Sequence, residues 1–137
     1  MGLVLDSGVL IAAERDARPV SVLLASLEQE LGESEIVLSS ITVVELEHGL
    51  HRANTTDLAR RRREYLDTVF AAIPVEPFTR EMAEAAAKID AEGKRTGLVI
   101  PFPDLLIGAT ALYLGYSVVT RNLRHFRMVP GLKVVQL

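Results

Sequence analysis

A chain of 137 residues, 49% of them hydrophobic, can bury a core of its own, since a domain of this size removes roughly two-thirds of its unfolded surface from water. The absence of cysteine excludes disulfides, thiolate zinc sites and cysteine nucleophiles, and suits a reducing cytosol. A net charge of −3, no tryptophan and only 5% aromatic residues argue against binding nucleic acid by bulk charge or by base stacking, so any such contact must use a local basic rim.

The segment Met1 to Asp6 has no basic stretch before its apolar run, and no apolar stretch approaches the ~20 residues of a membrane span, so a soluble, cytoplasmic protein is expected. Leu3-Val4-Leu5 predicts a buried strand with Asp6 at its carboxyl end, and Asp6-Ser7-Gly8 a tight turn into a helix containing Val9 to Ala13. Val20, Leu23, Leu24, Leu27 and Leu31 fall at helical spacing after Pro19, and this helix ends near Gly32. Ile36-Val37-Leu38 predicts a second strand, followed by a helix from Ile41 to Leu50 that Ser40 is placed to cap. Between Thr55 and Ala72 the apolar positions line one side of a helix, and Arg60 to Arg63 form a basic turn on its solvated face. Val75 opens a third strand, closed by Pro77. A helix with Met82, Ala85, Ala86 and Ile89 inward fades between Gly93 and Gly97. The helix from Asp104 to Leu112 is so apolar that it must lie buried, with its one carboxylate at the N-terminal end. Tyr116 to Thr120 and Lys133 to Val135 complete the strands.

Strands separated by helices predict one α/β unit over residues 1–137, with a parallel sheet of about four to five strands between two helical layers. In such sheets ligands bind beyond the carboxyl ends of the strands. Asp6, Glu45 and Arg121-Asn122 all follow strands and can face that edge.

Three carboxylates interrupt apolar patterns: Leu5-Asp6-Ser7, Val44-Glu45-Leu46 and Pro103-Asp104-Leu105. Taken alone, Asp6 reads first as a cap or turn residue, Asp104 as ordinary helix N-terminal chemistry, and Glu45 as a residue on an outward face. If they converge, each pair at ~4 Å repels by about 4 kcal/mol at an effective dielectric near 20, and a divalent cation reverses the sign. An all-oxygen donor set suits Mg²⁺ or Mn²⁺, which also bind phosphate esters.

The same segments carry a resemblance. Leu3 to Ile11 resembles the opening motif of PIN-domain proteins, an apolar strand ending in Asp followed by Ser or Thr. Ser39 to Gly49 is similar to their second motif, Ser-x-x-Thr-x-x-Glu-Leu-x-x-Gly. Pro103 to Ala109 and Val118 to Phe126 resemble the third and the last. The chain thereby resembles the PIN-domain ribonucleases, in particular the VapC toxins of toxin-antitoxin pairs. The resemblance implies a three-layer α/β/α fold of PIN type and a metal-dependent endoribonuclease. It also implies a Mg²⁺ or Mn²⁺ site held by Asp6, Glu45 and Asp104, with Ser7 and Thr120 in support. An antitoxin tail covering the acidic cleft and a homodimer are further implications. Many relatives place an Asp shortly after the Thr of the last motif, where this chain has Asn122 and His125. An amide ligates without charge, so one metal is expected in the free protein, with Asn122 at the catalytic edge.

Arg121, Arg124 and Arg127 flank the proposed site and are placed to grip phosphates of an RNA substrate without reading bases; Lys94 and Arg95 are a weaker candidate rim. His48 and His51 share a helix with Glu45 and Glu47, but a di-iron arrangement needs a second Glu-x-x-His on another helix, which is lacking. His125 reads as an exposed loop histidine before a general acid. Two other functions compete: a catalytically weak module that binds RNA or protein, and a phosphatase using Asp6 as nucleophile, for which position 8 lacks the second Asp.

Overall fold

The computed structural model describes residues Met1–Leu137. Five short strands form one sheet: β1 (Gly2–Leu5), β2 (Glu35–Ser39), β3 (Val75–Glu76), β4 (Ser117–Thr120) and β5 (Val134–Gln136). All neighbours are parallel, in the order β3-β2-β1-β4-β5. Leu3 pairs with Ile36 on one side and Ser117 on the other. The sheet is covered by α1 (Ser7–Arg15), α2 (Val20–Leu31), α3 (Ser40–His51), α4 (Thr56–Ala72), α5 (Arg80–Arg95), α6 (Phe102–Leu114) and α7 (Leu123–Phe126).

The alternation of side chains along each strand divides the core. Leu3, Leu5, Leu38 and Val119 point to one face, where Leu10, Leu23, Leu46 and Leu66 from the first four helices meet them. Val4, Val37 and Val118 point to the other, against Ile107 and Ala111 of α6 and Phe126 of α7. α5 lies outside α6, with Ala86 and Ile89 packed against Leu105 and Ala109. This is the expected three-layer arrangement, with strands buried on both faces because helices cover both.

Chain direction reverses around β1 and β4. From β1 the chain moves outward through β2 to β3; the last two strands proceed the other way, from β4 to β5. The loops and helices after β1 and β4 therefore leave on opposite sides and open a crevice at their carboxyl ends, the position at which α/β sheets bind ligands.

Several local expectations change. Ser39 caps α3, its Oγ accepting from Ile41 N–H at 3.1 Å, whereas the Ser40 hydroxyl accepts from Phe78 N–H at 3.0 Å and ties the start of α3 to the segment after β3. The run Arg60 to Arg63 is not uniformly solvated, because 100° per residue turns its second half toward α3. Arg62 donates to the Gly49 carbonyl at 2.6 Å, and Arg63 donates to both oxygens of Glu47 at 3.0 and 2.9 Å. The four-residue α7 escapes any periodicity argument. Too short to persist by propensity, it is anchored by the wholly buried Phe126, a burial worth about 1.5–3 kcal/mol. α6 stops at Gly115, which takes the left-handed conformation at φ 72° that a side chain would resist. No helix is long and apolar enough to cross a membrane.

Candidate functional site

Asp6 ends β1 and begins α1. Its backbone N–H continues the sheet by donating to Val119 O at 2.9 Å. Its extended backbone makes it the N-cap, so Oδ1 accepts from Ser7 N–H at 2.9 Å. Oδ2 accepts from Thr120 Oγ1 at 2.8 Å, at the end of the neighbouring β4, and Thr120 Oγ1 in turn accepts from Asn122 N–H at 2.8 Å. Asp6, Ser7 and Thr120 are all buried. Burial pushes the Asp6 carboxyl above its ordinary value; the Thr120 hydrogen bond opposes this, the charge of Asp104 adds to it, and Ser7 N–H and His125 oppose it further.

Glu45 lies in the middle of α3, between the buried Thr42 and Leu46. Its Oε1 is buried with no hydrogen-bond partner. Burial pushes this carboxyl up as well. The nearby Ser7 hydroxyl opposes the shift without making a hydrogen bond of standard geometry, and the charges of Asp6 and Asp104 both add to it. The outward-face reading of Glu45 is thus replaced by one facing other acids.

Asp104 stands in the first turn of α6, where Pro101 rather than Asp104 occupies the N-cap. Its Oδ2 lies 2.7 Å from His125 Nδ1, and the Asn122 side-chain amide lies 3.0 Å from the same nitrogen. Asp104 and His125 are mostly buried, with 16% and 29% of their side chains exposed. His125 is therefore part of this edge and not a free loop residue. The sequence signal for it is the spacing Asn122-x-x-His125, which puts both side chains on one side of a single helical turn.

The fold thus brings Asp6, Glu45 and Asp104 from three distant segments to one edge, where the charge of Asp104 bears on Asp6 and the charges of both bear on Glu45. They do not close into a finished ligand set, for no three His, Asp or Glu side chains are gathered tightly enough to hold an ion unaided. Mg²⁺ characteristically takes one or two carboxylates and fills its remaining positions with water and phosphate, so an incomplete protein ligand set suits it. The donors are all oxygen, and Glu45 Oε1 is an acceptor in want of a positive partner. Arg121, Arg124 and Arg127 are exposed and make none of the chain's ion pairs. Lys94 is instead paired with Asp90 at 3.0 Å. His48 and His51 are exposed on α3.

Beside Glu45, a groove of about 130 Å³ opens between α1, α3 and α4, lined by Leu10, Ile11, Leu46, Leu50 and Tyr65 among others.

Known proteins share this plan. Ribonuclease VapC1 of Rickettsia felis is 29% identical over 98% of this chain and 96% of its own length. VapC ribonuclease Y4jK of Sinorhizobium fredii is 32% identical over 97% of this chain and 95% of its own. In structure, the chain matches VapBC2 from Rickettsia felis, solved bound to a DNA fragment of its promoter, with a TM-score of 0.87 at 23% identity, covering 100% of this chain and 99% of that one. The family model of the PIN domain matches residues 3–132, and with that span taking in all four segments of the acidic edge, the chain belongs to the PIN domain family.

Proposed function

We infer that the chain is a metal-dependent endoribonuclease cleaving RNA phosphodiester bonds, and that it is the toxin of a VapBC-type toxin-antitoxin pair acting in the cytoplasm. The observation that carries this is the meeting of Asp6, Glu45 and Asp104 at the switch point of a parallel sheet, with one buried carboxylate oxygen unpartnered. Relatives named as ribonucleases over nearly the full chain support the substrate class.

Asp6, Glu45 and Asp104 would hold Mg²⁺ or Mn²⁺. When bound, the ion supplies polarisation of a phosphoryl oxygen and a more acidic water. The protein's own residues then have distinct tasks. Thr120 and the Ser7 N–H fix the two oxygens of Asp6, so Asp6 is a rigid anchor whose remaining lone pairs are available to an ion. Glu45 Oε1, desolvated and raised in pKa, is suited to receive a proton from water. Asn122 contributes an amide without charge, which limits the free protein to one weakly held ion. Arg121, Arg124 and Arg127 grip phosphates flanking the scissile bond. The groove beside Glu45 suits an apolar antitoxin segment ending in a cation over the acids. The exposed Val99, Phe102 and Tyr113 suit a homodimer contact.

Cleavage of total RNA with and without Mg²⁺, comparing wild type with Asp6→Ala and Asp104→Asn, tests the reading. Metal-dependent cutting by wild type alone is expected, and equal cutting by all three removes the mechanism. A binding-only module is the second reading, favoured by the neutral Asn122 and the open spacing of the acids; RNA retention without any metal-dependent cleavage would select it.

A further inference from the structure

The segment after β4 reaches both sides of the acidic edge. Through Thr120 it holds Asp6, and through His125 it touches Asp104. A carboxylate accepts and does not donate, so the hydrogen in the 2.7 Å contact lies on Nδ1 and the ring donates to Asp104 Oδ2. Nδ1 then has no lone pair for a second donor. The Asn122 side-chain nitrogen stands 3.0 Å from the same Nδ1, and with the ring hydrogen committed to Asp104 that approach is a neighbouring contact and not a second hydrogen bond. His125 itself is held in place by the next residue, the wholly buried Phe126.

We propose that His125 is a positioning residue for Asp104, its Nδ1–H holding Oδ2 and leaving Oδ1 as the oxygen offered to a divalent cation. The proposal rests on the nuclease reading above and deepens it. Asp104 sits in the first turn of α6 and accepts no backbone hydrogen bond there, so the helix itself does not fix its carboxylate. A donor from outside the helix captures one oxygen and fixes the rotation of the carboxylate. An imidazole does this without adding to the negative charge already crowded at the edge. Groups that orient a metal-holding side chain in this way typically matter by 10- to 100-fold in metal affinity or activity.

The test titrates Mn²⁺ into the metal-free protein, following the paramagnetic resonance of unbound ion, and measures cleavage kinetics on the same samples. His125→Ala is expected to weaken Mn²⁺ binding and to lower kcat by about 10- to 100-fold, with KM for RNA within about twofold of wild type. His125→Asn, whose Nδ2 takes the place of Nδ1 on Cγ, is expected to recover most of both. Should the alanine variant not fold, His125→Leu fills the space without a donor and replaces it. Equal losses in the Ala and Asn variants overturn the proposal, as does unchanged Mn²⁺ affinity in His125→Ala while Asp104→Asn loses it. In both cases the nuclease reading stands. If Asp104→Asn itself binds Mn²⁺ and cleaves like wild type, the nuclease site falls instead.

Discussion

Replacing Glu45 by Gln should stabilise the metal-free protein while disabling it. The substitution keeps the shape of the side chain and removes a charge whose Oε1 is buried without a partner and which the charges of Asp6 and Asp104 oppose. The amide leaves a polar atom in the same place, so the gain comes from the lost charge, which a like charge ~8 Å away repels by about 2 kcal/mol at a dielectric near 20. Glu45 is only partly buried, so water screens much of this, and a net gain of about 1–2 kcal/mol is expected at neutral pH. For a domain of this length that is roughly 3–8 °C in Tm. The gain must depend on pH. Burial raises the folded-state pKa of Glu45 above its unfolded value, so the folded protein holds the proton more tightly. That contribution to stability is complete below the unfolded pKa and is lost as pH rises through the folded one. Thermal melts of both proteins in EDTA from pH 4 to 8 should therefore converge at the acid end and diverge toward neutrality, with the Glu45→Gln variant the more stable. Adding Mg²⁺ should then raise the wild-type Tm more than that of the variant, since binding stabilises by mass action. A variant no more stable than wild type at pH 7.5 in EDTA, or a difference that does not grow with pH, would refute the claim that Glu45 is strained by its acidic neighbours.

Thr120→Val keeps the buried shape but removes both hydrogen bonds of Oγ1, to Asp6 Oδ2 and from Asn122 N–H. A loss of about 1.5–3 kcal/mol is expected in urea unfolding. Because that hydroxyl holds the Asp6 carboxyl down, the acid limb of the cleavage profile should also move to higher pH; an unshifted limb would separate Asp6 from the rate. Alanine at Arg121, Arg124 or Arg127 should raise KM for RNA more than it lowers kcat. Removing one phosphate-binding cation should flatten the logarithmic salt dependence of single-strand binding by about 0.7, and a salt slope unchanged in all three variants would place the RNA elsewhere.

The three layers and the parallel strands follow from patterns visible along the chain, whereas the strand order does not. Leu3-Val4-Leu5 and Ile36-Val37-Leu38 are short, continuous and apolar because the strands are buried on both faces, and the apolar α6 is buried against the sheet for the same reason. The features without a sequence signature are those set by contacts that have no local periodicity. Ser39 and Ser40 are equivalent as cap candidates until Phe78, 38 residues away, claims the second hydroxyl. Arg62 and Arg63 look solvated until α3 is placed beside α4. α7 is one turn held by a single buried ring, so no repeat announces it, and the setting of His125 is hidden along with it.

Asp6 shows why the acidic site is only half legible in the sequence. A local rule reads Asp after a strand as a helix cap, and the rule is correct, since Oδ1 caps α1. A cap engages one oxygen, however, and a carboxylate has two. The second is committed to Thr120, 114 residues away, and no window along the chain contains both. Capping and site formation are therefore not rival accounts of Asp6. The cap fixes the direction of the side chain at the carboxyl end of β1, and that direction carries Oδ2 across to β4. The same division holds at Asp104, where the helix start sets the position and a partner 21 residues on captures Oδ2. Local rules thus place Asp6 and Asp104 but not Glu45, and only the topology that sets β1 between β2 and β4 gathers the three at one acidic edge.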